Sequence, residues 1–186
     1  MQKNEVFQKS LQYIQYKIKH ILNDISADDL NVLYKMFFSA ERIFVYGAGR
    51  SGHVAKSFAI RLVHLGFQTF VIGETIGAPV RHDDLVFIVT GSGETIPAVM
   101  TAEIAQNIGA KVIVVTSRKE SRITNFSDLS LFLSAQCDDV ERKIFAPLGT
   151  LFEASCWILL DSIVAELMQK KGETEKTMQQ RHATLE

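Results

Sequence analysis

The chain has 186 residues, of which 47% are hydrophobic and 22% charged, and its net charge is −1 at pH 7. That size and balance describe one globular domain with a substantial core. A near-neutral charge excludes a long-range pull toward nucleic acid or an anionic membrane, so any anion site must be local.

Residues 3–22 carry Val6, Leu11, Ile14, Ile18 and Leu22 at roughly helical spacing and predict an amphipathic helix with a lysine-rich polar side. Ser26 predicts the N-cap of a second helix, whose apolar stripe is Leu30, Leu33 and Phe37. From residue 42 the pattern alternates between strand and helix. Residues 42–46, 68–72, 85–89, 111–115 and 129–133 read as five strands, each a short apolar run rich in β-branched or aromatic residues. Helices fill most of the gaps. One carries Val54, Phe58 and Leu62; another carries Val99, Met100, Ile104 and Ile108 and ends at Gly109; a short one spans 122–126. Residues 134–147 are polar and read as irregular. They lead into a long apolar segment, 151–168, whose Glu153, Asp161 and Glu166 mark a buried helix rather than a membrane span. The tail from Gly172 to Glu186 is polar and would fray in isolation. Strands joined by helices predict a five-stranded parallel sheet in a three-layer αβα sandwich. The expected organisation is a helical pair at 1–40, an α/β core at 41–170 and a tail at 171–186.

Two loops follow strands and therefore fall at the carboxyl edge of such a sheet, where ligands bind. The first is Gly47-Ala48-Gly49-Arg50-Ser51-Gly52. It matches the dinucleotide fingerprint, and Glu74 stands where a ribose-binding acid would. Against that reading, so short a chain leaves little room for a separate substrate domain, and the second loop would be idle. The second loop is Gly91-Ser92-Gly93-Glu94-Thr95, followed by Ile96 and by Pro97 in a first helical turn. Glycines admit a ligand close to the backbone, and the positive end of a helix dipole favours an anion. Both loops together suit a clamp on one small phosphorylated ligand. Ser51, Ser92 and Thr95 would supply hydroxyls, and the backbone from Gly91 through Gly93 and Glu94 to Ile96 would supply amides. Two tight turns without a ligand remain the structural alternative. The cysteines, Cys137 and Cys156, lack metal-ligand spacing, and the polar N-terminus lacks the apolar core of a signal peptide. Both observations suit a cytoplasmic protein with reduced packing cysteines.

The pairing of these loops resembles the sugar isomerase (SIS) domain, a flavodoxin-like doubly wound fold. The segments 55–62, 64–67, 71–75, Pro147-Leu148-Gly149-Thr150-Leu151-Phe152-Glu153 and the ending Arg181-His182-Ala183-Thr184-Leu185-Glu186 are similar to the 6-phospho-3-hexuloisomerase family. The chain departs from the family at Thr90, where serine is expected, and over residues 77–84 and 134–146. The resemblance implies interconversion of D-arabino-3-hexulose 6-phosphate and D-fructose 6-phosphate through an enediol(ate), with neither metal nor cofactor, in a homotetramer. It also implies roles that position alone does not. Glu153, by position, offsets a helix dipole; the resemblance implies a catalytic base. His182, by position, is a solvated histidine; the resemblance implies a proton relay at an active site, its own or a neighbouring subunit's. Another isomerase of the domain, acting for example on arabinose 5-phosphate, would use the same loops. So would a non-catalytic sugar-phosphate sensor, although the roughly 40 leading residues are too few for the DNA-binding domain such regulators carry.

Overall fold

The computed structural model describes residues 4–135 and 140–185; Cys137 and Glu186 lie outside the described residues. Five strands form one sheet: β1 (Ile43–Gly47), β2 (Thr69–Val71), β3 (Leu85–Val89), β4 (Lys111–Thr116) and β5 (Leu129–Phe132). All pairings are parallel and the order is β2-β1-β3-β4-β5. Every residue of β3 is fully buried, which is why its apolar run is unbroken.

Alternate residues of each strand face opposite layers. Phe44, Val86 and Val112 are register partners and pack, with Ile88 and Val114, against α4 (Ile96–Ile108). Val45, Phe87 and Ile113, also register partners, face the larger layer. That layer comprises α1 (Glu5–Asn23), α2 (Ala27–Ser39), α3 (Gly49–His64) and α6 (Thr150–Lys171), with Phe37, Phe58 and Phe87 in mutual contact near its centre. The three-layer αβα sandwich expected from the alternating pattern is therefore the fold.

Local signals placed the elements closely. Ser26 Oγ accepts from the Asp29 amide at 3.2 Å, as an N-cap should, and Gly109 ends α4 with φ 90°. Several segments differ from expectation. β2 is shorter, the turn near 123–126 is a 3-10 helix, and the stretch read as irregular contains α5 (Val140–Phe145). Nothing in a six-residue pattern announces that helix; contacts with α1 support it. The Tyr13 and Phe145 rings lie 6.0 Å apart, and Ser10 Oγ donates to the Phe145 carbonyl at 2.6 Å. The tail likewise gains α7 (Glu175–Gln179), started by a capping box at Thr174.

Candidate active site

The chain leaves β1 toward α3 and β2, and leaves β3 in the other direction, toward α4 and β4. Their carboxyl ends thus bound the crevice at which the sheet order reverses. A cleft of about 590 Å³ opens there. It is lined by Ser51 from the first loop, Gly91, Ser92 and Thr95 from the second, and Glu153 from α6. Residues separated by about a hundred positions meet at one rim.

The first loop's glycines have a packing explanation. A Cβ at Gly52 would come within 2.6 Å of the Gly47 carbonyl oxygen, and one at Gly47 within 2.7 Å of the Ser51 carbonyl oxygen. Bare backbone therefore lets α3 start tight against β1 and delivers Ser51 to the cleft in the helix's first turn. Glu74, the acid of the dinucleotide reading, is paired with Lys56 Nζ at 2.5 Å and lies outside the cleft lining. The second loop is braced from β4: the Gly91 carbonyl accepts from Ser117 Oγ at 2.6 Å and from the Ser117 amide at 3.1 Å. Thr95 is the N-cap of α4, yet its side chain makes no capping bond; its hydroxyl lies 3.4 Å from Ser92 Oγ. Two hydroxyls thus sit together at the positive end of a thirteen-residue helix.

The remaining loop residues stand back. Gly93 supplies the left-handed turn, φ 66°. The Glu94 amide donates to Ser92 Oγ at 3.2 Å, and its carboxylate accepts from the Arg122 amide at 3.0 Å. The Ile96 side chain is exposed and does not line the cleft.

Glu153 occupies the first turn of α6, its side chain only 13% exposed. Phe152 beside it packs against Gly91, where a Cβ would approach its ring to 3.0 Å, so α6 and the second loop are in direct contact. The surround of Glu153 is not uniformly apolar: Arg50 Nε donates to Oε2 at 3.1 Å. One turn further, burial pushes the Cys156 thiol well above its ordinary value, with the charge of Glu153 adding to the effect.

His182 is not brought to Glu153 within the chain. Its ring stacks on His64, centroids 5.0 Å apart, at the carboxyl end of the helix whose first turn holds Ser51. That separation is roughly 20 Å along α3, which places His182 at the opposite edge of the sheet. The tail is clipped there by Arg181. Its guanidinium donates twice to the Glu173 carboxylate, both at 3.0 Å, and to the His64 carbonyl at 3.0 Å. Hydrogen bonds from Arg181 and then Thr177 hold the Glu173 carboxyl down at about 2.

The cleft wall also includes Arg118, Arg142 and Ser117, which the sequence reading did not single out. Ser117 and Arg118 directly follow β4, and that position at the carboxyl edge was a usable signal. Arg142 comes from α5 and donates to the Leu148 carbonyl at 3.2 Å, a placement visible only once α5 is known. Among the described residues no helix is long and apolar enough to cross a membrane, and no three His, Cys, Asp or Glu gather as a metal would require.

A doubly wound sheet with a hydroxyl-lined loop at its switch point defines the class: the chain belongs to the SIS-domain family, whose model matches residues 36–147. Within it, the chain is 36% identical to the 3-hexulose-6-phosphate isomerase of Bacillus subtilis, over 96% of this chain and all of that one. A solved structure from Methanococcus jannaschii, for which a molecular function of 3-hexulose-6-phosphate isomerase has been inferred, superposes with a TM-score of 0.85. It is 31% identical over 95% of this chain and 98% of its own. A crystal structure of a hypothetical protein matches at TM-score 0.93 and 38% identity, covering 97% of each chain. The family resemblance carried by the two loops and the block at 147–153 is thereby borne out.

Proposed function

We propose that this protein is an isomerase that interconverts 3-hexulose 6-phosphate and fructose 6-phosphate. The observation that carries the reading is the meeting of Ser51, Ser92 and Thr95 with the carboxylate of Glu153 around one cleft, in a chain whose relatives, matched over nearly their whole length, bear that activity's name. The three hydroxyls, the amides at the start of α4 and the dipole of that helix hold the phosphate. Arg118 and Arg142 add positive charge to the same wall. Binding energy from the phosphate then fixes the reacting carbons against the base without taking part in the chemistry.

The ketone at C3 acidifies the proton on C2. Glu153 removes that proton, an enediol(ate) forms between C2 and C3, and the same carboxylate returns the proton to C3. The proton on the C2 hydroxyl must at the same time reach the oxygen on C3. His182 suits that relay, and its position at the far edge of its own chain means that it would serve the cleft of a neighbouring copy. The active form is accordingly a homo-oligomer, tetrameric as the family resemblance implies.

A coupled assay that follows fructose 6-phosphate released from 3-hexulose 6-phosphate tests the activity. Glu153→Gln should reduce turnover at least about 10³-fold while fructose 6-phosphate still binds, as expected when a general base is lost. An active Glu153→Gln protein would remove this residue from the mechanism. An unaltered protein active only on arabinose 5-phosphate would replace the substrate.

A further inference from the structure

Glu153 forms a partition. One side faces the cleft with the phosphate loops. The other faces a second hollow of about 440 Å³, lined by Arg50, His53, Trp157 and Ile158 among others. Arg50 lines this second hollow and not the cleft. From behind the partition its Nε reaches Glu153 Oε2 at 3.1 Å. The carboxylate itself lies where a side chain at position 149 would be: a Cβ there would stand 2.5 Å from Oε1 and 2.9 Å from Oε2. The guanidinium behind and the bare Cα of Gly149 beneath thus define one seat for the carboxylate. A glutamate otherwise has three rotatable side-chain bonds, and the helix backbone restricts only the first of them.

We propose that Arg50 is a positioning residue for the isomerisation proposed above, on which this inference rests. It holds the Glu153 carboxylate in its seat over Gly149, so that one oxygen is presented to the sugar. The chemistry makes this placement matter. The proton leaves one carbon and returns to its neighbour about 1.5 Å away, and a misplacement of about 1 Å typically costs 10²-fold in rate. The Arg50 side chain is 71% exposed, so the ion pair adds little to folding stability. Its consequence is orientation. Lysine does not reproduce it, because the donor is Nε, and at that place in its side chain lysine carries a methylene. Arg50 owes its own place to the close contact between Gly47 and Gly52, which starts α3 hard against β1.

The test uses Arg50→Gln, Arg50→Lys and Arg50→Ala in the full chain, with kcat and KM for 3-hexulose 6-phosphate measured separately. kcat should fall about 10- to 100-fold, the range typical of partners that orient a reacting group, while KM stays within about threefold. Millimolar guanidinium should restore part of kcat to Arg50→Ala, ammonium should not, and Arg50→Lys should recover little. Turnover of Arg50→Gln within about twofold of the unaltered protein would overturn the proposal. So would a loss confined to KM, which would place Arg50 on the substrate. Crystal structures of the unaltered protein and Arg50→Gln give a readout independent of activity. The carboxylate should leave Gly149 in the variant; an unmoved carboxylate would overturn the proposal. An unaltered protein without isomerase activity would count against the reaction, while the pair of structures would still decide the role of Arg50.

Discussion

Gly149→Ala separates the position of the proposed base from its chemistry. The residue is the N-cap of α6, with φ −85° and ψ 7°, a backbone that alanine adopts without strain. Its new Cβ would arise 2.5 Å from Glu153 Oε1. Ordinary contact begins near 3.4 Å, so the carboxylate must withdraw by about 1 Å, and it can do so because it ends a flexible side chain. Stability should hardly change. Alanine at an N-cap costs up to ~1 kcal/mol relative to glycine, and the stiffer unfolded chain offsets ~0.4–1 kcal/mol of that. Catalysis should change much more: a 1 Å displacement of a reacting group corresponds to ~10²-fold in kcat, or about 2.7 kcal/mol of barrier. Steady-state kinetics in the coupled assay would give kcat and KM, calorimetry would give the affinity for fructose 6-phosphate, and thermal denaturation would give Tm. The expected pattern is a large loss in kcat with affinity and Tm nearly unchanged. A kcat within twofold of the unaltered protein would show that the carboxylate does not act from this seat, and the reasoning would fail.

Glu153→Gln and His182→Ala should each be inactive alone, but an equimolar mixture reassembled from separated subunits should recover up to about a quarter of full activity if His182 serves a neighbour's cleft. A mixture as inactive as its parents refutes that exchange. Asp84 is 1% exposed and accepts from Arg42 Nε at 2.9 Å, Arg42 Nη2 at 2.6 Å and the Arg81 amide at 2.6 Å, all at the edge away from the cleft. Asp84→Ala removes a buried acceptor that ties Arg42 and the Arg81 amide together and should lower the urea midpoint, with kcat of the folded protein unchanged; an unchanged midpoint would contradict it. The Glu173 carboxyl is lowered from its ordinary 4.5 to about 2, so its contribution to tail docking is complete above pH 4.5 and is lost as pH falls from there toward 2. Hydrogen-exchange protection at residues 173–182, corrected for the intrinsic pH dependence of amide exchange, should fall in a step across that window. The same step in Glu173→Gln would exclude this carboxylate as its origin.

How much of the molecule could be read from the chain depends on how local each cause is. The five strands were recognisable because a parallel sheet covered on both faces demands uninterrupted apolar, β-branched runs, as in Leu85–Val89. Ser26 and Gly109 were recognisable because caps act within a turn of the helix they end. The loop at 91–95 was legible for the same reason: a glycine- and hydroxyl-rich turn between strand and helix carries its anion preference in its own backbone. α5 was not, since six residues hold no period and its support comes from Tyr13 and Ser10, more than a hundred positions away.

Residue identities alone therefore specified the layers, the parallel sheet and the chemical character of each loop, all of which follow from hydrophobic period and backbone conformation over short spans. Only the tertiary structure decided which of those groups share a cleft. It set Glu153 between Ser92 and Arg50, added Arg118 and Arg142 to the wall, and carried His182 to the far edge. Such meetings depend on the packing of α3, α6 and the loops around one core, a balance of many distant contacts that no local stretch encodes.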